Sequence, residues 1–151
     1  MKNADIVFLG HQDNPYKFMY RSTLFIFPSL WEGFPNVLIE AMACNVPVIS
    51  SDCPSGPREI IAPDTECSFR TEKIEHHSNG ILVPYFTMND NEVETIKKED
   101  VWVKSIESLL SDKEEQEHIR LNAWKALFTY SPEYIASEWN DILRVDREDD
   151  K

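Results

Sequence analysis

Glu32 and Glu40 lie in the stretch LWEGFPNVLIEA, residues 30–41, on either side of a Gly33-Phe34-Pro35-Asn36 turn. Paired carboxylates serve two kinds of sugar chemistry. Facing each other across one glycosidic bond, they hydrolyse it. Beside a helix start they can hold a ligand that carries both phosphate and sugar, because the first N–H groups of a helix lack internal partners and attract phosphate. Asn36 is a good N-cap residue. Pro35 has no N–H, which leaves the amides of Asn36, Val37 and Leu38. Gly33 lets the backbone approach a ligand closely. Glu40 sits about four residues into the helix, and its Cα–Cβ bond leans back toward the helix start. Its carboxylate can then accept hydrogen bonds from sugar hydroxyls near a bound phosphate. Glu32 reaches the ligand from across the turn. This suits a nucleotide-sugar, with diphosphate at the helix end, ribose at Glu40 and the transferred sugar at Glu32. Spacing alone equally allows a loop acid at 32 and a first-turn acid stabilised by the helix dipole at 40.

The elements that must position these residues alternate. DIVFLG (5–10) reads as a buried strand, NPYKFMYRS (14–22) as a short helix with Pro15 at its first position, and TLFIFPS (23–29) as a strand ended by Pro28. A helix over 36–44, a strand over 46–51 and a short helix over 56–61 follow, the last with Pro57 at its start. Residues 62–79 read as a long loop, GILVP (80–84) as a strand and 85–100 as a polar linker or loop. Three helical stretches close the chain. Trp102, Ile106, Leu109 and Leu110 stripe the first. Asp112 and Glu115 form a capping-box pattern for the second, whose inner side carries Leu121, Trp124, Leu127 and Phe128. Ser131-Pro132-Glu133 starts the third, whose face is Ile135, Trp139, Ile142 and Leu143, and the REDDK tail is expected to fray. Alternating short apolar strands and helices predict an α/β fold, a doubly wound, Rossmann-like parallel sheet. The expected division is a nucleotide-sugar-binding part over 1–84, a linker over 85–100, and C-terminal helices of the same domain over 101–145. Such sheets bind ligands beyond the carboxyl ends of their strands, which is where the Glu32 loop falls.

Composition narrows the field. The 151 residues suffice for one domain with a core. The net charge of −12 is uneven: residues 1–61 hold four Lys/Arg against six Asp/Glu, and residues 62–151 hold eleven against twenty-one. An acidic helical half argues against a nucleic-acid surface, which needs clustered Lys and Arg. No apolar run has the length of a membrane span, and the start of the chain has too short an apolar core for a signal peptide, so the expectation is a cytoplasmic protein. Cys44, Cys53 and Cys67 form no C-x-x-C. Cys44 reads as a small core residue, and Cys67 with His76 and His77 fits no zinc spacing.

The stretch PSLWEGFPNVLIEAMACNVPVISSDCPSGPREI resembles the donor-binding half of family 4 glycosyltransferases, which have the two-domain GT-B architecture. The resemblance rests on PS before the first acid, EGFPNVLIEAMA with both glutamates, the strand VPVIS, and DCPSGPREI. FLGHQDNPYKFMYRSTLFIF is similar to the family's preceding strand–helix–strand, NGILVP to its next strand, and YSPEYIASEWNDIL to its terminal helices, so the likeness covers at least residues 6–143. It implies that Glu40 binds the ribose hydroxyls. It implies that Glu32 is catalytic, contacting the donor sugar and stabilising charge at its anomeric carbon. Gly33 and Phe34 would approach the sugar through their backbones, and Asn36, Val37 and Leu38 would face the diphosphate. The family transfers a sugar with retention of configuration, from UDP-sugars in the bacterial surface-polysaccharide and lipid-linked oligosaccharide enzymes that this motif resembles. It generally needs no metal ion, and no cofactor is expected. Arg58 is expected as a surface guanidinium or a phosphate contact, Glu59 as a first-turn acid or a ligand contact, and His11 near the nucleobase.

Against that family the chain reads as a fragment. Its acceptor domain and the opening strands of its donor domain are absent, and the N-terminal half supplies only Lys2, Lys17, Arg21 and Arg58 as cations. The expected partners are a nucleotide-sugar and a glycan or lipid-linked acceptor held by the missing N-terminal domain. Peripheral association with the inner face of the membrane would come through that missing part. Two other readings stand beside this one: a non-catalytic nucleotide-binding module, and a glycoside hydrolase using the glutamate pair.

Overall fold

A computed structural model describes residues 5–148, with side chains described as far as Leu143. Its order is α1 (Tyr16–Met19), β1 (Phe25–Phe27), α2 (Asn36–Ala43), β2 (Val48–Ser51), α3 (Pro57–Ile61), β3 (Glu75–His77), β4 (Gly80–Val83), α4 (Glu92–Ser111), α5 (Lys113–Ala126), a 3-10 turn (Leu127–Tyr130) and α6 (Pro132–Glu148). The sheet runs β1-β2-β4-β3. β1, β2 and β4 are parallel, with Phe25 opposite Val48 and Ile49 opposite Ile81. The expected orientation of the strands near 23–29, 46–51 and 80–84 is therefore observed.

Both faces of the sheet are covered, which explains why its inner strands β2 and β4 are buried along their whole length, Ser50 and Ser51 included. Val48 and Leu82 point to one side, into a core with Leu38, Met42, Ile60 and Ile61 from α2 and α3. Ile49, Ile81 and Val83 point to the other, against Trp102 and Leu109 of α4. α5 bridges the two clusters, with Ala123 in the first and Ile119 in the second.

Four expectations are corrected. Residues 5–10 form no strand, and Ile6, Val7 and Phe8 are exposed: the run finds no neighbouring strand among the described residues, and without one its backbone gains no ladder. The loop 62–79 contains β3, which pairs antiparallel with β4 so that Glu75 faces Leu82 and His77 faces Gly80. The linker 85–100 is largely helix, since Asn91 caps α4 with a reciprocal pair: Glu94 N–H donates to Asn91 Oδ1 and Asn91 N–H to Glu94 Oε2, each at 3.0 Å. On α5 the inward residues are Gln116, Ile119 and Ala123, whereas Leu121 and Trp124 are exposed; in the 3-10 turn that follows, Leu127 packs on the core and Phe128 is exposed.

The helix starts of α5 and α6 fall where the sequence places them, but the expected capping box of α5 is half-formed, since the Glu115 carboxylate pairs with His76 and Asp112 N–H donates to Ser108 O. Glu115 N–H donates to Asp112 Oδ1 at 2.9 Å, and Tyr134 N–H to Ser131 Oγ at 3.2 Å. Buried Gln116 donates to the carbonyl of Leu109 at 2.6 Å, closing the end of α4. The expected α6 face is exposed at Ile135, Trp139, Ile142 and Leu143. Of the tail, only Arg147 and Glu148 fall among the described residues, in α6; Lys2 also lies outside them. No helix among the described residues is long and apolar enough to cross a membrane.

Candidate functional site at the carboxyl edge of the sheet

β1 ends at Phe27, and the segment Pro28–Pro35 carries the chain from the carboxyl edge of the sheet into α2. β2 ends at the same edge, and its following segment, Asp52–Gly56, clasps the first. Glu32 N–H donates to Pro54 O at 2.8 Å, and Ser55 N–H to Glu32 O at 3.0 Å. Ser51 Oγ donates to Ser29 O at 2.5 Å, and Ser29 Oγ to Glu32 Oε1 at 2.6 Å. The main chain and the carboxylate of Glu32 are thus both fixed. Gly56 makes the clasp possible: its φ is +93°, and a Cβ there would lie 2.4 Å from Pro35 Cδ and 3.0 Å from Gly33 O. At Gly33 the space around an added Cβ is open.

The cap of α2 differs from expectation. Pro35, not Asn36, is the N-cap, and no side chain caps the helix. Asn36 N–H is engaged by Phe34 O and Leu38 N–H by Pro35 O, each at 2.9 Å. Val37 N–H has no backbone partner among the described residues. The Leu38 side chain belongs to the core, while Asn36 and the Phe34 ring are exposed. The Phe34 ring lies 6.1 Å from that of Tyr130.

Glu40, the fifth residue of α2, is half-buried and accepts a hydrogen bond from Tyr16 Oη at 3.3 Å. Its charge, with burial and that hydrogen bond, raises the Tyr16 phenol above its ordinary range. Burial and then Glu40 raise the Cys44 thiol, which is half-buried and, against expectation, belongs to neither core cluster. Tyr16 is a partner the sequence did not indicate, since nothing local pairs residues 24 positions apart.

Arg58 is neither on the surface nor free for phosphate. It is 2% exposed, and its Nε and Nη2 grip the fully buried Asp52, with Nη2 also 3.0 Å from Glu75. Glu59 takes the first-turn role, accepting from Gly56 N–H at 3.2 Å. His11 is exposed, with Asp13 at 3.7 Å. Cys67 is exposed and Cys53 buried. No three His, Cys, Asp or Glu converge into a metal set among the described residues.

The fold is that of a GT-B glycosyltransferase domain. The chain superposes on the solved GtfA/B complex with a TM-score of 0.65, at 22% identity, over 91% of this chain and 24% of that one. The profile of the family described as Glycosyl transferases group 1 matches residues 1–92, and the chain belongs to that family. It is 34% identical over 144 residues to an uncharacterized glycosyltransferase of Methanocaldococcus jannaschii, covering 92% of this chain and 35% of the relative. It is 46% identical over 59 residues to the N-acetylgalactosamine-N,N'-diacetylbacillosaminyl-diphospho-undecaprenol 4-alpha-N-acetylgalactosaminyltransferase of Campylobacter jejuni, covering 39% of this chain and 16% of that enzyme. The chain therefore spans only about a third of the length of the first of these curated relatives.

Proposed function

We propose that this chain is the donor-binding part of a retaining glycosyltransferase, which moves a sugar from a nucleotide diphosphate sugar, UDP-linked, to a glycan or lipid-linked acceptor. The observation that carries this reading is the clasped loop at the carboxyl edge of the parallel sheet. It holds Glu32 in a fixed orientation and leads directly into the helix that bears Glu40. The name of the Campylobacter relative, whose acceptor is a diphospho-undecaprenol, supports the lipid-linked alternative.

In this reading Glu40 accepts hydrogen bonds from the ribose hydroxyls, and Tyr16 holds its carboxylate in place. The backbone around Gly33 and Phe34 lies along the donor sugar. The start of α2, Asn36 to Leu38, faces the diphosphate, with the Val37 N–H as the amide able to donate. Glu32 stands by the anomeric carbon. As the bond to the diphosphate breaks, positive charge grows on the sugar ring, and a carboxylate already oriented by Ser29 stabilises it with little reorganisation. No metal ion or organic cofactor is part of the scheme. The acceptor, and any association with the inner face of the membrane, are assigned to the rest of the polypeptide. UDP titrated into the chain, with Glu40→Ala as the comparison, tests the reading.

A further inference from the structure

We propose that Arg70 forms a second recognition site, for the acidic group, carboxylate or phosphate, of an anionic sugar, beside the Glu32 loop. That the ligand is a sugar rests on the donor-binding reading above; that it is an anion rests on the geometry of the 67–75 segment.

Phe69, Arg70, Thr71, Glu72, Lys73 and Glu75 line a cleft of about 470 Å³. Arg70 is half-buried there. Its Nη1 donates to the main-chain carbonyls of Cys67, at 2.6 Å, and of Phe69. Its Nε is buried and has no hydrogen-bond partner. Its Nη2 is not buried and meets no acceptor among the described residues. The N–H groups of Nε and Nη2 point the same way. They form the two-pronged edge by which a guanidinium grips the paired oxygens of a carboxylate or phosphate. Buried polar groups are nearly always paired, so a guanidinium that lines a cleft and leaves its buried Nε without an acceptor points to a ligand.

Apart from the exposed Glu72, the neighbouring carboxylates are engaged elsewhere. Asp52 holds Arg58 and the Thr71 N–H, and Glu75 holds Arg58 and His77. Glu66 takes the Ser68 hydroxyl. Glu72 and Lys73 at the cleft are exposed and of opposite sign. Phe69, 52% exposed with Arg58 against its ring at 4.9 Å, adds a flat apolar surface of the kind sugar C–H faces pack on.

The cleft adjoins the donor loop through one segment. Thr71 N–H donates to Asp52 Oδ2 at 2.7 Å, and Pro54 and Ser55, two and three residues on, clasp Glu32. Cys53 lies between: burial raises its thiol, the charge of Glu32 adds to the rise, and that of Arg70 opposes it. Glu32 and Arg70 thus both act on Cys53, in the segment that joins the donor loop to the cleft.

The test is calorimetric titration of the chain with glucuronate, glucose 1-phosphate and glucose, repeated on Arg70→Gln and Arg70→Lys, with thermal unfolding to verify that each variant folds. At least one acid is expected to bind where glucose does not, and Arg70→Gln to weaken it by about tenfold or more. Arg70→Lys keeps the charge but not the two-pronged edge, so it also loses affinity, and it decides the matter if Arg70→Gln fails to fold. Binding of glucuronate alone identifies a carboxylate, and of glucose 1-phosphate alone a phosphate. Acids that bind no better than glucose, or variants that bind them as tightly as the parent, overturn the site. UDP titrated separately distinguishes the two readings: loss of UDP binding with acid binding intact contradicts the donor assignment and leaves Arg70 standing.

Discussion

The Tyr16 hydroxyl donates to Glu40 Oε1 at 3.3 Å, tying α1 to the acid of α2. A negative charge beside a phenol disfavours the phenolate, so Tyr16 titrates above 10.0. Replacing Glu40 by Gln removes the charge, and the Tyr16 titration is expected to move down toward its ordinary range. Ring-carbon NMR across alkaline pH measures it. A midpoint that stays put in Glu40→Gln means the pair does not form in solution.

Gly56→Ala tests the clasp. The added methyl meets Pro35 and the Gly33 carbonyl, at a backbone conformation L-residues rarely adopt. The expected cost is more than about 1 kcal/mol, read as a lower urea midpoint. A variant as stable as the parent shows that the 33–35 segment yields freely and does not hold Glu32 in place.

The β1–α2–β2 unit was legible because its strands open on apolar, β-branched and aromatic runs and its helix follows a turn of Gly and Pro. The rest depended on signals that composition hides. α4 opens with two polar turns, so its Asn91–Glu94 cap reads as linker. The inner face of α5 is built on a buried Gln116 and a small Ala123, while its large residues point outward. β3 has only three residues, two of them His, and exists through its pairing with β4. In the site, Glu32 and Glu40 were visible as a spaced pair. The Ser51–Ser29–Glu32 chain, the Tyr16 contact and the burial of Arg58 arise from residues brought together by the fold, which local pattern does not encode.

Arg58 and Asp52 form a buried ion pair, and Asp52 is wholly inaccessible. Arg58→Leu leaves that carboxylate without its cation, with an expected loss of about 3–5 kcal/mol in chemical unfolding. Burial alone would raise the Glu75 carboxyl. Hydrogen bonds from Arg58 and His77, with the nearby Thr71 hydroxyl and the charge of Arg58, outweigh it and hold the group below its ordinary 4.5. A depressed folded-state pKa gives stability that is present above pH 4.5 and is lost as pH falls through the folded value. Glu75→Gln is therefore expected to flatten the acid limb below pH 4.5. An unchanged limb contradicts the linkage.

β1 is an edge strand, and Ile26 on it is exposed along with Ile6, Val7 and Phe8. An open apolar edge recruits a partner strand, so the chain is expected to self-associate with rising concentration, and Ile26→Lys to suppress this. Light scattering that shows a clean monomer of the parent at high concentration contradicts it.

Donor binding is the direct measure of the central assignment. Calorimetric titration of UDP into the parent chain and into Glu40→Ala compares one carboxylate's contact with the ribose. The account predicts that the parent binds and that Glu40→Ala binds more weakly by about 1–3 kcal/mol, from the loss of charge-assisted hydrogen bonds. A parent that takes up no UDP, or a Glu40→Ala that binds it as tightly, contradicts the assignment of this loop and helix to the nucleotide-sugar.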